Sequence, residues 1–249
     1  MEKKMEKYNR EFTVAFRDVD SKDRMTYHAI VDCMQEIARN HASELGLAYE
    51  MDVHGYYWIV LRTKIQIHTF PMLGETIRME TYIEGLDKMY SARRFRIYNS
   101  EGEELGNILA YYLLMNQATQ LPVRLRSLPE KEHLFANQMV SGNLRKLSLQ
   151  WDCVEKTMIR EAYSGDIDSN HHMNNAYYIR WITDMFSQKE LDDVVITSIQ
   201  IEYKKEITEG NAVTLVRGKD AKGNEMVMGT IGNDTICFAA VVESETQHL

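Results

Sequence analysis

The stretch Ser164-Gly-Asp-Ile-Asp-Ser-Asn-His-His-Met-Asn-Asn-Ala-Tyr-Tyr178, with the Ile179-Arg-Trp-Ile-Thr-Asp-Met-Phe186 that follows it, decides how the rest of the chain is read. Asp168, Asn170 and His172 stand at i, i+2 and i+4. In an extended or turning segment a carboxylate, an amide and an imidazole then project to one side and share a small volume. Directly afterwards apolar residues recur at Tyr178, Trp181, Ile182, Met185 and Phe186, the spacing of a helix buried along one stripe. The polar group therefore stands at the mouth of a helix, where unpaired backbone N–H groups favour negative charge. Asn174 and Asn175 have the chemistry of helix caps.

The segment occurs twice. Asp18-Val-Asp-Ser-Lys-Asp-Arg-Met25 matches Asp166-Ile-Asp-Ser-Asn-His-His-Met173 at an offset of 148 (166 minus 18). The same offset carries Tyr178, Trp181, Ile182, Met185 and Phe186 onto Ile30, Cys33, Met34, Ile37 and Ala38, so both copies predict the same helix. Lys22 and Arg24 replace Asn170 and His172, while Asp20 remains opposite Asp168. A purely structural cap is needed equally in both copies, so losing the amide and imidazole while keeping the helix points to chemistry in the second copy.

Working outward, the spacing predicts a strand from Phe12 to Phe16 after a polar lead-in, a helix from about Thr26 to Leu45, and a half-buried strand from Trp58 to His68. In that strand Ile59, Leu61, Thr63, Ile65 and Ile67 share a face. Strands follow at Thr76 to Ile83, Tyr90 to Tyr98 and Leu105 to Asn116, with hairpin chemistry at Asn99-Ser-Glu-Gly102. Periodicity fades from Gln120 to about Gln150, around Pro122, Pro129, Glu130-Lys-Glu132 and Gly142, and this reads as a linker crossing an outer surface. The order then repeats: a strand from Cys153 to Ala162, a helix to about Phe186, a strand from Val194 to Lys205, and strands ending at Val242 around Lys222-Gly-Asn224 and Gly232-Asn-Asp234. The expected fold class is α+β: two units, 1–135 and 151–249 with a linker at 136–150, each a helix wrapped by a curled antiparallel sheet. Joining the two sheets into one hides an edge of each.

Composition limits the partners. The 249 residues carry a net charge of −8, which disfavours nonspecific nucleic-acid binding. Basic clusters at Arg93, Arg94 and Arg96, at Arg124 and Arg126, and at Lys204 and Lys205 are candidate contacts for an acidic partner. No run reaches the length of a membrane span, the N-terminus has no apolar leader core, and Cys33, Cys153 and Cys237 have no ligand spacing. The expectation is a cytoplasmic protein with free thiols and no membrane span. His171 and His172 do not make a metal site with Asp168, because neighbouring side chains in a strand point oppositely. No metal or cofactor is expected.

The order of elements, the duplication, Leu121-Pro-Val-Arg-Leu125 and the Asp-x-Asn-x-His-x-Asn-Asn pattern resemble the acyl-acyl carrier protein thioesterase family of plant plastids and bacteria. The resemblance covers essentially the whole chain. It implies a tandem, or double, hot-dog fold. It further implies that Asp168, Asn170 and His172 are catalytic, joined by Glu206 in Glu202-Tyr-Lys-Lys-Glu206. Plant members commonly have Cys directly after that glutamate; Ile207 stands here, so a thiol nucleophile has no support. The turn residues Gly74 and Gly210 set an offset of 136, which places Phe70 opposite Glu206.

Thioester hydrolysis requires delivery of a water and stabilisation of an oxyanion, which imidazole with carboxylate and helix N–H groups can supply. In this reading Glu206 and His172 position and deprotonate the water, and Asn170 orients water or substrate. Asp168 orients the site or acts as base or nucleophile. The implied partner is acyl carrier protein bearing an acyl-phosphopantetheine, with the protein a monomer or homodimer. An acyl-CoA thioesterase and a non-catalytic acyl-thioester binding module are the alternatives, and a binder has no need of all four polar residues. The helix face at Ile30, Met34 and Ile37 and the Ile59 to Ile67 strand are candidates for lining an acyl chain, or simply for filling the core.

Overall fold

The computed structural model describes residues 7–47, 53–125, 128, 134, 140–142, 144–147, 150–220, 223–232 and 234–246. Most of the lead-in, Arg126, Pro129 to Glu132, Lys222 and Asn233 lie outside them. In chain order the elements are β1 (Tyr8–Thr13), α1 (Tyr27–Glu44), β2 (Tyr56–Ile67), β3 (Thr76–Asp87), β4 (Tyr90–Tyr98), β5 (Glu104–Asn116) and β6 (Cys153–Glu161). They continue with α2 (Asn175–Thr183), α3 (Gln188–Asp193), β7 (Val194–Tyr203), β8 (Ala212–Lys219), β9 (Glu225–Ile231) and β10 (Thr235–Thr246). Contacts divide the chain into two compact units. One comprises Met1–Thr26, Asp32–Thr63 and Ile67–Leu144; the other comprises Tyr27–Val31, Lys64–Gln66 and Arg145–Leu249.

In the first unit the strands run β1-β3-β4-β5-β2. The ladders β1/β3, β3/β4 and β4/β5 are antiparallel. Strand β1 starts at Tyr8 and stops at Thr13, earlier at both ends than the alternation of Phe12 to Phe16 predicts. Its residues are mostly exposed, so backbone pairing with β3 (Tyr8 opposite Thr81, Thr13 opposite Thr76) fixes it rather than a buried face. The chain then turns because Asp18 Oδ2 accepts the Ala15 N–H at 2.9 Å. Helix α1 buries Ile30, Met34 and Ile37 completely, as its stripe requires. Its far end packs Ala42 and Leu45 around Leu47, Leu114, Leu125 and Leu128.

The fading stretch is more ordered at its end than its composition suggests. Leu144 is buried beside Ala92, Leu109 and Tyr111, and its carbonyl accepts from Arg62 at 3.1 Å. Ser141 joins the buried Glu84–Arg94 pair (2.9 Å), its N–H donating to Glu84 at 3.2 Å. A single apolar anchor among polar neighbours leaves no periodicity to read. In the second unit the Arg145 carbonyl accepts from Gln200 at 3.0 Å, and the Leu147 N–H donates to Glu202 at 3.3 Å.

The second unit's strands run β7-β10-β9-β8-β6, again antiparallel. Helix α2 buries Tyr178, Ile179, Trp181 and Ile182, and the turn after it buries Met185 and Phe186. Each such side chain contributes roughly 1.5–3 kcal/mol on leaving water. The Tyr178 ring meets Tyr203 of β7 and Phe238 of β10 edge-on, at centroid distances of 5.3 and 5.4 Å. That contact seats the start of α2 against the sheet.

The helix ends at Thr183, earlier than the apolar stripe to Phe186 implies, where the chain tightens into a turn in which the Met185 N–H donates to Ile182 and the Phe186 N–H to Thr183, at 3.2 and 3.0 Å. Lys156 Nζ donates to the Asp184 and Met185 carbonyls at 3.3 and 3.0 Å, and Arg217 donates to Met185 at 3.2 Å. The one-turn-and-a-half α3 then starts at a capping box in which the Ser187 hydroxyl and N–H bond Glu190 at 2.6 and 2.7 Å.

Candidate active site

The segment from Asp168 to Met173 is a closed turn. The Asp168 N–H donates to the His172 carbonyl at 2.9 Å, and the His171 N–H donates to the Asp168 carbonyl at 3.0 Å. Asp168 Oδ1 accepts the Asn170 N–H at 2.7 Å, an Asx turn that sets the loop's curvature. His171 takes φ 65°, an uncommon conformation for a side-chain-bearing residue and one that polar residues tolerate best. This reversal separates His171 from His172. Asn174 caps α2, its Oδ1 accepting the Ala176 N–H at 2.9 Å.

One backbone hydrogen bond brings the acid to the imidazole. The Met173 N–H donates to the Ile207 carbonyl at 2.8 Å, so the residues just before each, His172 and Glu206, face one another. His172 Nε2 lies 2.9 Å from Glu206 Oε2, with side-chain exposures of 37% and 56%. The pair is thus open to water within its own unit. Asp168 and Asn170 form a second pair, Asn170 Nδ2 standing 3.4 Å from Asp168 Oδ2. The turn joins the two pairs through its Asp168-to-His172 backbone bond.

The other end of Ile207 is held as well. Its N–H donates to the Tyr178 hydroxyl at 3.1 Å. Burial pushes the Tyr178 phenol above its usual range. The Ile207 N–H works against that rise, and Cys237, Glu206 and Asp168 add to it, so the hydroxyl keeps its proton at neutral pH. Sequence reading assigns Tyr178 to the apolar stripe alone; a tyrosine where its sister helix has Ile30 is the signal that the position does more.

The first copy reproduces the closing bonds of this turn. The Asp20 N–H donates to the Arg24 carbonyl at 2.8 Å, Asp20 Oδ1 accepts the Lys22 N–H at 2.8 Å, and Asp23 takes φ 58°. The Met25 N–H donates to the Pro71 carbonyl at 2.8 Å, matching Met173 to Ile207. The side chains differ. Arg24 is spent on Asp20, at 2.8 and 3.0 Å, and its guanidinium carbon stands 5.5 Å from the Phe70 ring centre. Where one copy holds an imidazole and a free-edged carboxylate, the other holds an internally neutralised arginine over an aromatic ring.

The basic clusters fare unevenly as contacts for an acidic partner. Arg93 and Arg94 are 6% and 9% exposed, and serve internal bonds to His41 Nδ1 (2.8 Å) and Glu84 (2.9 Å). As neighbours in β4 the two arginines point to opposite faces of the sheet, both faces are buried at this point, and polar groups match each of them there. Arg96 pairs with Glu104 and Lys204 with Glu202, at 3.1 and 3.2 Å; Lys205 is exposed. Cys237 is buried, Cys153 exposed and Cys33 half-buried, all with free thiols; burial first, then Asp18, Asp32 and Glu36, pushes the Cys33 thiol up to about 12. Among the described residues no group of three His, Cys, Asp or Glu side chains is placed to hold a metal ion, and no helix is long and apolar enough to cross a membrane.

A helix packed on an antiparallel sheet, present twice, with an acid–imidazole pair in one copy, defines a tandem hot-dog protein. The fold is shared with solved structures. The 12:0-ACP thioesterase from Umbellularia californica matches with a TM-score of 0.84 at 21% identity, over 97% of this chain and 98% of that one. An acyl-ACP thioesterase from Bacteroides thetaiotaomicron matches with a TM-score of 0.80 at 20% identity, over 96% and 98%. Residues 5–128 match the acyl-ACP thioesterase N-terminal domain, and residues 155–236 match the acyl-ACP thioesterase C-terminal domain. The chain belongs to the acyl-ACP thioesterase family. Relatives include the chloroplastic oleoyl-acyl carrier protein thioesterase 1 of Arabidopsis thaliana, 24% identical over 97% of this chain and 71% of that protein. The chloroplastic palmitoyl-acyl carrier protein thioesterase of the same plant is also 24% identical, over 97% and 60%.

Proposed function

We propose that this chain hydrolyses the thioester of fatty acyl-acyl carrier protein, releasing a free fatty acid and the carrier thiol, as a step of fatty acid biosynthesis. Family membership supports the reaction, and the observation that carries the site is the 2.9 Å His172–Glu206 contact in the copy that kept both groups. With Nε2–H donated to Glu206, the imidazole's lone pair lies on Nδ1, which takes a proton from water as its oxygen attacks the acyl carbon. The carboxylate stabilises the imidazolium that forms. Collapse of the tetrahedral oxyanion breaks the C–S bond, and the imidazolium returns the proton to the departing thiolate.

Asn170 is exposed, and among the described residues its amide makes only the long contact to Asp168, so it is placed to donate to the carbonyl oxygen. The helix N–H of Ala176 is taken by Asn174, which moves oxyanion stabilisation towards that amide. Asp168 spends Oδ1 on the Asn170 N–H and acts as the orienting group rather than the base. The unit at 151–249 carries the chemistry. The unit at 1–135, with Lys22, Arg24 and Phe70 at the matching places, serves as scaffold and apolar wall for the acyl chain.

The test is a panel of acyl carrier protein and CoA thioesters of varied chain length given to the purified protein, with thiol and free acid measured. Stoichiometric thiol and acid from the carrier-protein substrates, at higher kcat/KM than from CoA, is the expected result. Preference for CoA would make the protein an acyl-CoA thioesterase, and tight binding without thiol release would make it a binding module.

A further inference from the structure

The second copy has gained a hydrogen bond that the first cannot form. At the offset of 148 Tyr178 stands where α1 has Ile30, and at the offset of 136 Ile207 stands where the first copy has Pro71. Proline has no N–H. The acceptor hydroxyl and the donor N–H are therefore both present in the copy with His172 and Glu206 and both missing in the copy with Arg24 and Phe70. The carbonyl of this residue is tied identically in the two, to Met173 and to Met25 at 2.8 Å. The turn closes without the tyrosine bond, so that bond is surplus to folding the loop.

We infer that Tyr178 is a positioning residue that aims Glu206 at His172, an inference that rests on the catalytic reading of that pair. The Tyr178 hydroxyl holds the Ile207 N–H at 3.1 Å, while Met173 holds the Ile207 carbonyl. Ile207 is fully buried and Tyr178 is 3% exposed, held edge-on between Tyr203 and Phe238. Both ends of the residue after Glu206 are thereby fixed to α2 and its entry turn. The Glu206 side chain is half exposed and, among the described residues, pairs with His172, so its direction is set by the backbone behind it. Removing the hydroxyl frees the peptide joining Glu206 to Ile207, and the carboxylate then samples directions that miss the imidazole.

The test is a double-mutant cycle on the full chain with an acyl-acyl carrier protein substrate, using Tyr178→Phe, Glu206→Gln and the double variant. Tyr178→Phe is expected to lower kcat at least tenfold with KM within twofold. In the Glu206→Gln background the same change should leave the residual rate within twofold, since there is no carboxylate left to aim. Glu206→Asp takes that place if Glu206→Gln leaves no measurable rate, and the penalty of Tyr178→Phe should shrink in it. A fluorinated tyrosine at 178, which keeps the ring's shape and weakens its oxygen as an acceptor, replaces Tyr178→Phe if that variant does not fold. Equal penalties in both backgrounds, or an unchanged kcat in Tyr178→Phe, overturn the inference. Wild-type turnover in Glu206→Gln instead overturns the catalytic reading beneath it.

Discussion

His41 is 2% exposed, stacked on Tyr8 at a centroid distance of 5.9 Å, and takes the Arg93 guanidinium on Nδ1 at 2.8 Å. Burial first, then that guanidinium, lowers its pKa from 6.5 to about 4. The folded protein keeps this ring neutral where the unfolded chain protonates it. Its contribution is complete above pH 6.5, falls as the pH drops towards 4, and is gone below that. The loss is bounded at about 3 kcal/mol by the shift, less for any water that reaches the ring. Urea midpoints at pH 7 and pH 4.5 should differ more for the wild type than for His41→Gln; equal differences would show that the ring does not titrate with folding. Nothing in the sequence marks His41, because a histidine on a helix shows neither its burial nor the arginine across from it. Asp168, Asn170 and His172 are legible from spacing and from the duplicated copy, and Glu206 from family resemblance. Tyr178 is hidden by its fit to an apolar stripe.

At the scale of elements, the apolar stripe identifies α2 but misplaces its end. Met185 and Phe186 stay buried after the helix stops, so hydrophobic periodicity does not report where it stops; Lys156 and Arg217 hold the Met185 carbonyl just beyond that end. The Ser187 to Glu190 capping box does announce α3, six residues long. Arg217 links these pieces: it reaches Glu190 at 2.7 Å, Glu225 at 3.1 Å and Glu155 at 3.5 Å, beneath the Phe186 ring at 4.0 Å. Hydrogen bonds from Ser187, more than Arg217, hold the Glu190 carboxyl down at about 2 against its usual 4.5. That carboxylate's contribution to stability is present above pH 4.5 and is lost as the pH falls through about 2. Arg217→Met is expected to cost about 2 kcal/mol, the buried-pair figure discounted because the three carboxylates are partly exposed. Thermal melting checks the loss, and kcat should stay within about threefold, since His172 and Glu206 are held by Met173 and Ile207 instead. A large fall in kcat would mean that the end of α2 also governs the site.

At the scale of the molecule, the duplication is the most legible feature of the sequence and the structure carries it to individual hydrogen bonds. Gly74 and Gly210 show why: both take positive φ, 85° and 79°, and both donate to the residue just after the first strand of their unit, Val14 after β1 at 2.9 Å and Ala162 after β6 at 2.8 Å. Backbone geometry of that kind constrains sequence strongly and survives divergence. Edge strands such as β1 were less legible because their partners, rather than their own alternation, fix them. Two turns with one backbone and different side chains make an internal control for the catalytic claim. The decisive measurement is kcat for thiol release from an acyl-acyl carrier protein, compared among wild type, His172→Ala, Glu206→Ala and the first-copy variant Arg24→Ala. The account predicts a loss of about 100-fold or more in the first two variants and a rate within twofold of wild type in Arg24→Ala. Near-wild-type turnover in His172→Ala and Glu206→Ala, or an equal collapse in Arg24→Ala, would contradict it.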